Sequence, residues 1–246
     1  MRNFHIFYIL SVLVLGLSIS SCKHDPFLQD IDPTPIDTSD NPVDTTMQGT
    51  PCDPDLIYFE YDVLPILISN CAFSGCHNAA SAEDGVVLES FQTVMNSDVV
   101  KAFDLGDSEM FEVITETDPD KKMPPPPETP LTQEQINIIS QWILQGADNL
   151  ECNPDLNCDT TDVSYAAVIR PILDNTCVGC HGGSVPSGGI SFMTYAGVKA
   201  MADSGQLLGA VNWDAGYSFM PQGGNKLPDC EIAQLKSWID SGALEN

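Results

Sequence analysis

The residues most able to do chemistry are Cys177-Val178-Gly179-Cys180-His181. Cysteines at i and i+3 of a nascent helix point the same way, and the histidine follows directly. Two thiols so placed can form thioethers with both vinyl groups of a porphyrin while the imidazole ligates its iron. C-x-x-C-H is the pattern of c-type haem attachment. A redox dithiol or a zinc site also uses C-x-x-C, but neither requires a histidine immediately after it. A wider version, Cys71-Ala72-Phe73-Ser74-Gly75-Cys76-His77, occurs earlier. Four intervening residues require a bulged loop to bring the thiols to the same group, and Gly75 suits such a turn. The competing reading there is a Cys71–Cys76 disulfide beside an idle His77.

The scarcity of histidine narrows the ligation. The chain has four: His5, His24, His77 and His181. Neither half holds a spare histidine, so a pair of histidines on one iron would require His24 to fold back. Methionine is the natural sixth ligand, and Met/His ligation raises a haem potential. Met123 and Met220 stand at matching places, each followed by proline. A lone methionine usually fills a core gap; the matched positions argue for ligation. Met110, Met193 and Met201 are the fallback ligands. The run Pro124 to Pro127 is expected to be a stiff polyproline II segment presenting the thioether of Met123.

These residues sit in an internal repeat. Pro65-Ile66-Leu67 precedes Cys71 as Pro171-Ile172-Leu173 precedes Cys177, and Gly85 to Phe91 has its counterpart in Gly189 to Tyr195. Trp142-Ile143-Leu144-Gln145-Gly146-Ala147 answers Trp238-Ile239-Asp240-Ser241-Gly242-Ala243. Two homologous domains follow, residues 52–150 and 151–246. Each is expected to open with a short apolar helix, Val63 to Ser69 and Val168 to Asn175, with Asp62 as the first cap. Pro65 is tolerable in a first turn, whereas Pro171 sits less comfortably. Each domain closes on an amphipathic helix. Thr132 and Gln135 have capping-box spacing, and Ile136, Ile139, Trp142 and Ile143 share a face. The second closing helix takes Asp229 as cap and buries Ile232, Leu235, Trp238 and Ile239. Strand signals are weak, so the fold class is mainly α.

The N-terminus reads as a processing signal, residues 1–21. Arg2 supplies positive charge, Phe7 to Ile19 is apolar, and Ile19-Ser20-Ser21-Cys22 has the form of a bacterial lipobox that lipidates Cys22. The apolar run is short for a bilayer span, and several acyl chains would hold the protein at a membrane surface. Residues 22–51 are rich in Asp, Pro and Thr and are expected to form a disordered tether. With 35 acidic against 9 basic side chains, the chain carries a net charge of -26. Such acidity argues against nucleic acid and favours a redox partner with a basic docking surface.

Taken together, a haem motif near the start, a Met-Pro further on and a closing Trp-Ile-x-x-Gly-Ala helix resemble class I cytochrome c domains. The resemblance spans residues 57 to 246, and the C-x4-C spacing of the first motif departs from it. It implies that first and last helices cross with the haem c between them. It also implies Cys71, Cys76, Cys177 and Cys180 as anchors, His77 and His181 as proximal ligands, and Met123 and Met220 as distal ligands. Cys52, Cys152, Cys158 and Cys230 remain, with three possible disulfide connectivities. If the terminal helices cross as the resemblance implies, Cys52–Cys152 and Cys158–Cys230 follow. The expected function is a two-haem electron carrier of the bacterial cell envelope, anchored by lipid at the outer membrane, and not an enzyme. A dihaem peroxidase-like enzyme and a haem-free, disulfide-held surface lipoprotein are the alternatives.

Overall fold

The computed structural model describes residues 49–246. The expected signal segment, the expected lipidation at Cys22 and most of the expected tether lie outside the described residues. Residues 49–51, assigned to the tether from composition, are held: the Asn153 N–H donates to the Thr50 carbonyl at 2.8 Å. Among the described residues the regular elements are helices and no sheet forms, so the fold is mainly α. No helix among them is long and apolar enough to cross a membrane.

Helix α1 (Leu64–Asn70) follows a π-helical turn over Phe59–Val63. Helix α2 (Phe91–Asn96) is capped by Ser90, and α3 (Glu109–Thr115) leads toward Met123. Helix α4 (Gln133–Leu144) closes this half. The second half repeats the plan. A π-turn over Tyr165–Ile169 runs into α5 (Arg170–Thr176), and the short α6 (Val178–His181) carries the second motif. Helices α7 (Tyr195–Asp203), α8 (Gln206–Val211) and α9 (Asp229–Asp240) follow.

The opening helices begin earlier than the pattern of apolar residues indicated, and the reason is proline. Pro65 and Pro171 lack an N–H and crowd the preceding turn. In both halves the chain meets this with a wide turn, in which the Leu64 N–H bonds the Phe59 carbonyl and the Arg170 N–H bonds that of Tyr165. Pro171 is therefore placed as comfortably as Pro65, each in the first turn of its helix. Asp62 is not a cap; it lies inside the first π-turn and accepts from the Tyr58 N–H at 2.6 Å.

Thr132 and Gln135 form the reciprocal capping box at the start of α4. At α9 the cap position is Pro228, and Asp229 is the first helical residue, with no side-chain cap. An aspartate in the first turn still favours the positive end of the helix dipole, which is why the sequence pattern pointed to it.

Two apolar clusters form the core. One gathers Phe59, Val63, Leu67, Ile139, Trp142 and Ile143. The other gathers Tyr165, Ile169, Leu173, Leu235 and Trp238. In each, the opening helix crosses the closing one through an aromatic contact. Phe59 and Trp142 lie 5.1 Å apart, and Tyr165 and Trp238 lie 5.6 Å apart, between ring centroids. A third ring completes each set edge-on, Phe91 against Phe59 and Tyr195 against Tyr165. The indole N–H of Trp142 donates to the Asp148 carbonyl and that of Trp238 to the Leu244 carbonyl, so both closing turns are tied alike.

Candidate functional site: two cysteine-histidine motifs on one seam

Both motifs emerge from the C-terminal end of an opening helix. The Cys71 N–H bonds the Leu67 carbonyl and the Cys177 N–H that of Leu173, so the first thiol of each motif is set by the last helical turn. The His77 N–H then returns to the Cys71 carbonyl at 3.1 Å, and the His181 N–H to that of Cys177 at 2.9 Å. Each histidine carbonyl is held in turn, by Leu88 N–H in the first half and Phe192 N–H in the second. The wide first motif takes up its two extra residues at Gly75, whose φ of +89° only glycine adopts freely.

Cys71, Cys76, Cys177 and Cys180 are free thiols. Cys52 is joined to Cys152 and Cys158 to Cys230, with Cα separations of 4.9 and 5.5 Å. Burial pushes the Cys71 thiol up to about 12, with a smaller contribution from Cys76. Burial likewise pushes Cys177 up to about 12, helped by the Glu231 carboxylate. Such thiols stay protonated near neutral pH and are poor nucleophiles, which does not suit a redox dithiol.

The histidines differ. His181 Nδ1 lies 3.1 Å from the Ser187 carbonyl and 3.2 Å from that of Ile190. Carbonyls only accept, so the proton sits on Nδ1 and the Nε2 lone pair is left for a ligand. His77 Nδ1 is buried with no hydrogen-bond partner. Free paired thiols with an adjacent histidine fit a covalently attached haem c in both halves. In the second, the imidazole is also fixed in the tautomer that ligation requires. Among the described residues no group of three or more His, Cys, Asp or Glu side chains is placed to hold a metal ion.

Met123 and Met220 are half-buried and similarly tethered. The Met123 N–H donates to the Val113 carbonyl at 2.9 Å, near the end of α3. The Met220 N–H donates to the Ala210 carbonyl at 3.1 Å, near the end of α8. Both precede a cis proline. Of the fallbacks, Met110 is buried in the first core, Met201 packs against the second, and Met193 is exposed. The segment from Pro124 is not extended polyproline II: the Glu128 N–H closes a turn onto the Pro125 carbonyl at 3.0 Å.

Sequence patterns gave no sign of the seam between the motifs. Ser69 Oγ donates to the Asn175 carbonyl at 2.8 Å, and Gln135 Nε2 to that of Asp174 at 2.9 Å. Gly179 is required here, because a Cβ on it would stand 1.9 Å from the Ser69 carbonyl oxygen. Beside the seam lies a largely apolar cleft lined by Leu64, Pro65, Ile68, Thr176, Leu227 and Glu231. Burial, reinforced by Asp62 and Asp155, pushes the Glu231 carboxyl from 4.5 to about 7.

A carboxyl whose pKa rises on folding favours the folded state when protonated. Its contribution is complete below its unfolded value of about 4.5 and is lost as pH rises through about 7. Glu231→Gln is therefore expected to raise stability at pH 8 by on the order of 2 kcal/mol, and to leave it unchanged at pH 4. Denaturant melts of both proteins across that range check this; an equal effect at both pH values would rule out the ionisation as its source.

Neither the curated proteins nor the solved structures contain a match to this chain. Residues 74–127 match a family model described as Planctomycete cytochrome C. That stretch contains Cys76, His77 and Met123 of the wide-spaced first half, so its similarity to a cytochrome c family supports an electron carrier with covalently bound haem c.

Proposed function

We propose that the chain is a two-haem c-type cytochrome of the bacterial cell envelope, anchored through a lipid on Cys22. In this reading residues 52–150 and 151–246 are cytochrome c-like domains, each with His/Met ligation. The observation that carries it is the duplicated local architecture. In both halves a first cysteine ends the opening helix, a histidine returns to that cysteine's carbonyl, and a methionine is pinned to the helix before it.

The bound haem supplies reversible one-electron chemistry at iron. The chain's own residues do the rest. Cys71, Cys76, Cys177 and Cys180 would anchor, and the Ser187 and Ile190 carbonyls orient His181. Met123 and Met220 would close the sixth positions, leaving no open iron for a substrate, which favours a carrier over an enzyme. The net charge of -26 supports docking of a basic redox partner.

A pyridine haemochrome assay with the mass of the mature protein tests the reading. The expected result is two haems and an acylated N-terminus. Met123→Ala and Met220→Ala should each remove half of the long-wavelength band of methionine-ligated ferric haem, with both haems retained. One haem, or none, would overturn it.

A further inference from the structure

We infer that Trp213 is a positioning residue for Met220: it holds the loop that carries this methionine, so that a competing small ligand displaces the thioether less readily. The inference rests on the reading that Met220 occupies the sixth position of the second haem.

The loop between α8 and Met220 folds back on the helix it leaves. The Ala210 carbonyl accepts the N–H of Trp213 at 3.3 Å and that of Met220 at 3.1 Å, so both ends of the loop are fixed to one oxygen. The indole Nε1–H of Trp213 then donates to the Met220 carbonyl at 2.8 Å. An indole N–H only donates and a carbonyl only accepts, so the bond has one sense. The peptide groups before and after the Met220 side chain are therefore both held, and the thioether swings from a fixed root.

Neither burial nor backbone preference accounts for a tryptophan at this position. Trp213 is 38% exposed, and its φ of +62° lies in the left-handed region, which is unfavourable for a bulky side chain. The ring stacks on Phe219, with centroids 5.5 Å apart and planes 18° apart, and Phe219 is itself exposed. Tyr217 packs on the backbone of Gly209, where a Cβ would stand 2.7 Å from its ring. Backbone strain persists where the surrounding contacts over-determine a conformation, and such strain clusters at ligand clamps.

The first half lacks this device. Of the seven residues before Met220 three are aromatic, Trp213, Tyr217 and Phe219, whereas residues 116–122, the seven before Met123, include none. The Met123 N–H is bound as that of Met220 is, but no other described residue donates to the Met123 carbonyl. Both halves thus hold their methionine by the same kind of backbone bond, and the second adds an indole clamp.

Imidazole, as a competing ligand, tests this on the mature ferric holoprotein, with its haems first counted by mass. In Met123→Ala protein the remaining long-wavelength band reports Met220 alone; in Met220→Ala protein it reports Met123 alone. Adding Trp213→Phe to the first is expected to lower the imidazole concentration that halves the band by about three- to tenfold, the factor one hydrogen bond contributes. Added to the second, it should leave that concentration unchanged, which a general loosening of the fold would not do. Phe219→Ala removes the ring that seats the indole and keeps the donor. It should act in the same direction, and it serves where Trp213→Phe lowers haem loading. No change with either variant, or an equal fall at Met123, overturns the inference and leaves the two-haem reading standing. Two haems without a band in Met123→Ala protein, or fewer than two haems, overturn that reading as well.

Discussion

Replacing Trp238 with alanine is expected to lower the unfolding free energy by about 3–5 kcal/mol, the usual cost of deleting a buried aromatic. Trp238 is fully buried, and its ring lies 5.6 Å from that of Tyr165. That contact is where α9 crosses the opening helix of its half. The indole N–H also closes the final turn onto the Leu244 carbonyl at 2.8 Å. Leu244 is exposed, so water can replace that bond, and the cost falls on the cavity and lost ring contacts. Trp142→Ala removes the equivalent ring against Phe59 and Phe91 and should cost a similar amount. Urea unfolding followed by far-ultraviolet circular dichroism measures both. A loss under about 1 kcal/mol would show that the helix crossing is not what holds each core.

Breaking the Cys158–Cys230 bridge should cost about 2–5 kcal/mol. The bridge joins residues 72 apart, and closing so long a loop removes much entropy from the unfolded chain. It ties the first turn of α9 to the segment that enters the second half. Around it the Cys230 N–H donates to Asp155 Oδ1, Gln234 to the Asp159 carbonyl, and Ser237 to that of Thr160. The paired variant Cys158→Ser/Cys230→Ser, compared with the parent in guanidinium melts, isolates the bridge. If stability changed by less than about 0.5 kcal/mol, those three bonds alone would fix the segment, since removal of a native disulfide otherwise costs several times that. Substituting both cysteines together avoids leaving one thiol to exchange with the free cysteines of the motifs.

Local chemistry was legible in the sequence wherever cause and effect lie within one turn or one short loop. Thr132 and Gln135 cap α4 reciprocally because three residues separate them, and that spacing is independent of what the helix packs on. Ile139, Trp142 and Ile143 are fully buried because the period of the helix puts them on one face. Gly75 takes up the wide motif through its own φ. Local reasoning failed where a neighbouring residue or turn took the role the pattern assigned. Pro228 displaced Asp229 from the cap of α9, and a wide turn before each proline made Asp62 an internal acceptor.

The duplicated motif, its paired helices and its mainly α character were thus set by residues near one another in the chain. Tertiary structure decided how the two Cys/His motifs meet. Gly179 reads as an arbitrary residue between two cysteines until the Ser69 carbonyl, 110 positions earlier, occupies the space of its missing side chain. His181 acquires a fixed tautomer only when the loop through Ser187 and Ile190 closes over its ring. Glu231 is an ordinary helix-start glutamate until α9 packs it into a cleft with Asp62 and Asp155 nearby. The physical reason is shared by all three: spacing within a segment carries bond geometry, whereas desolvation and close approach depend on which distant segments fill the space.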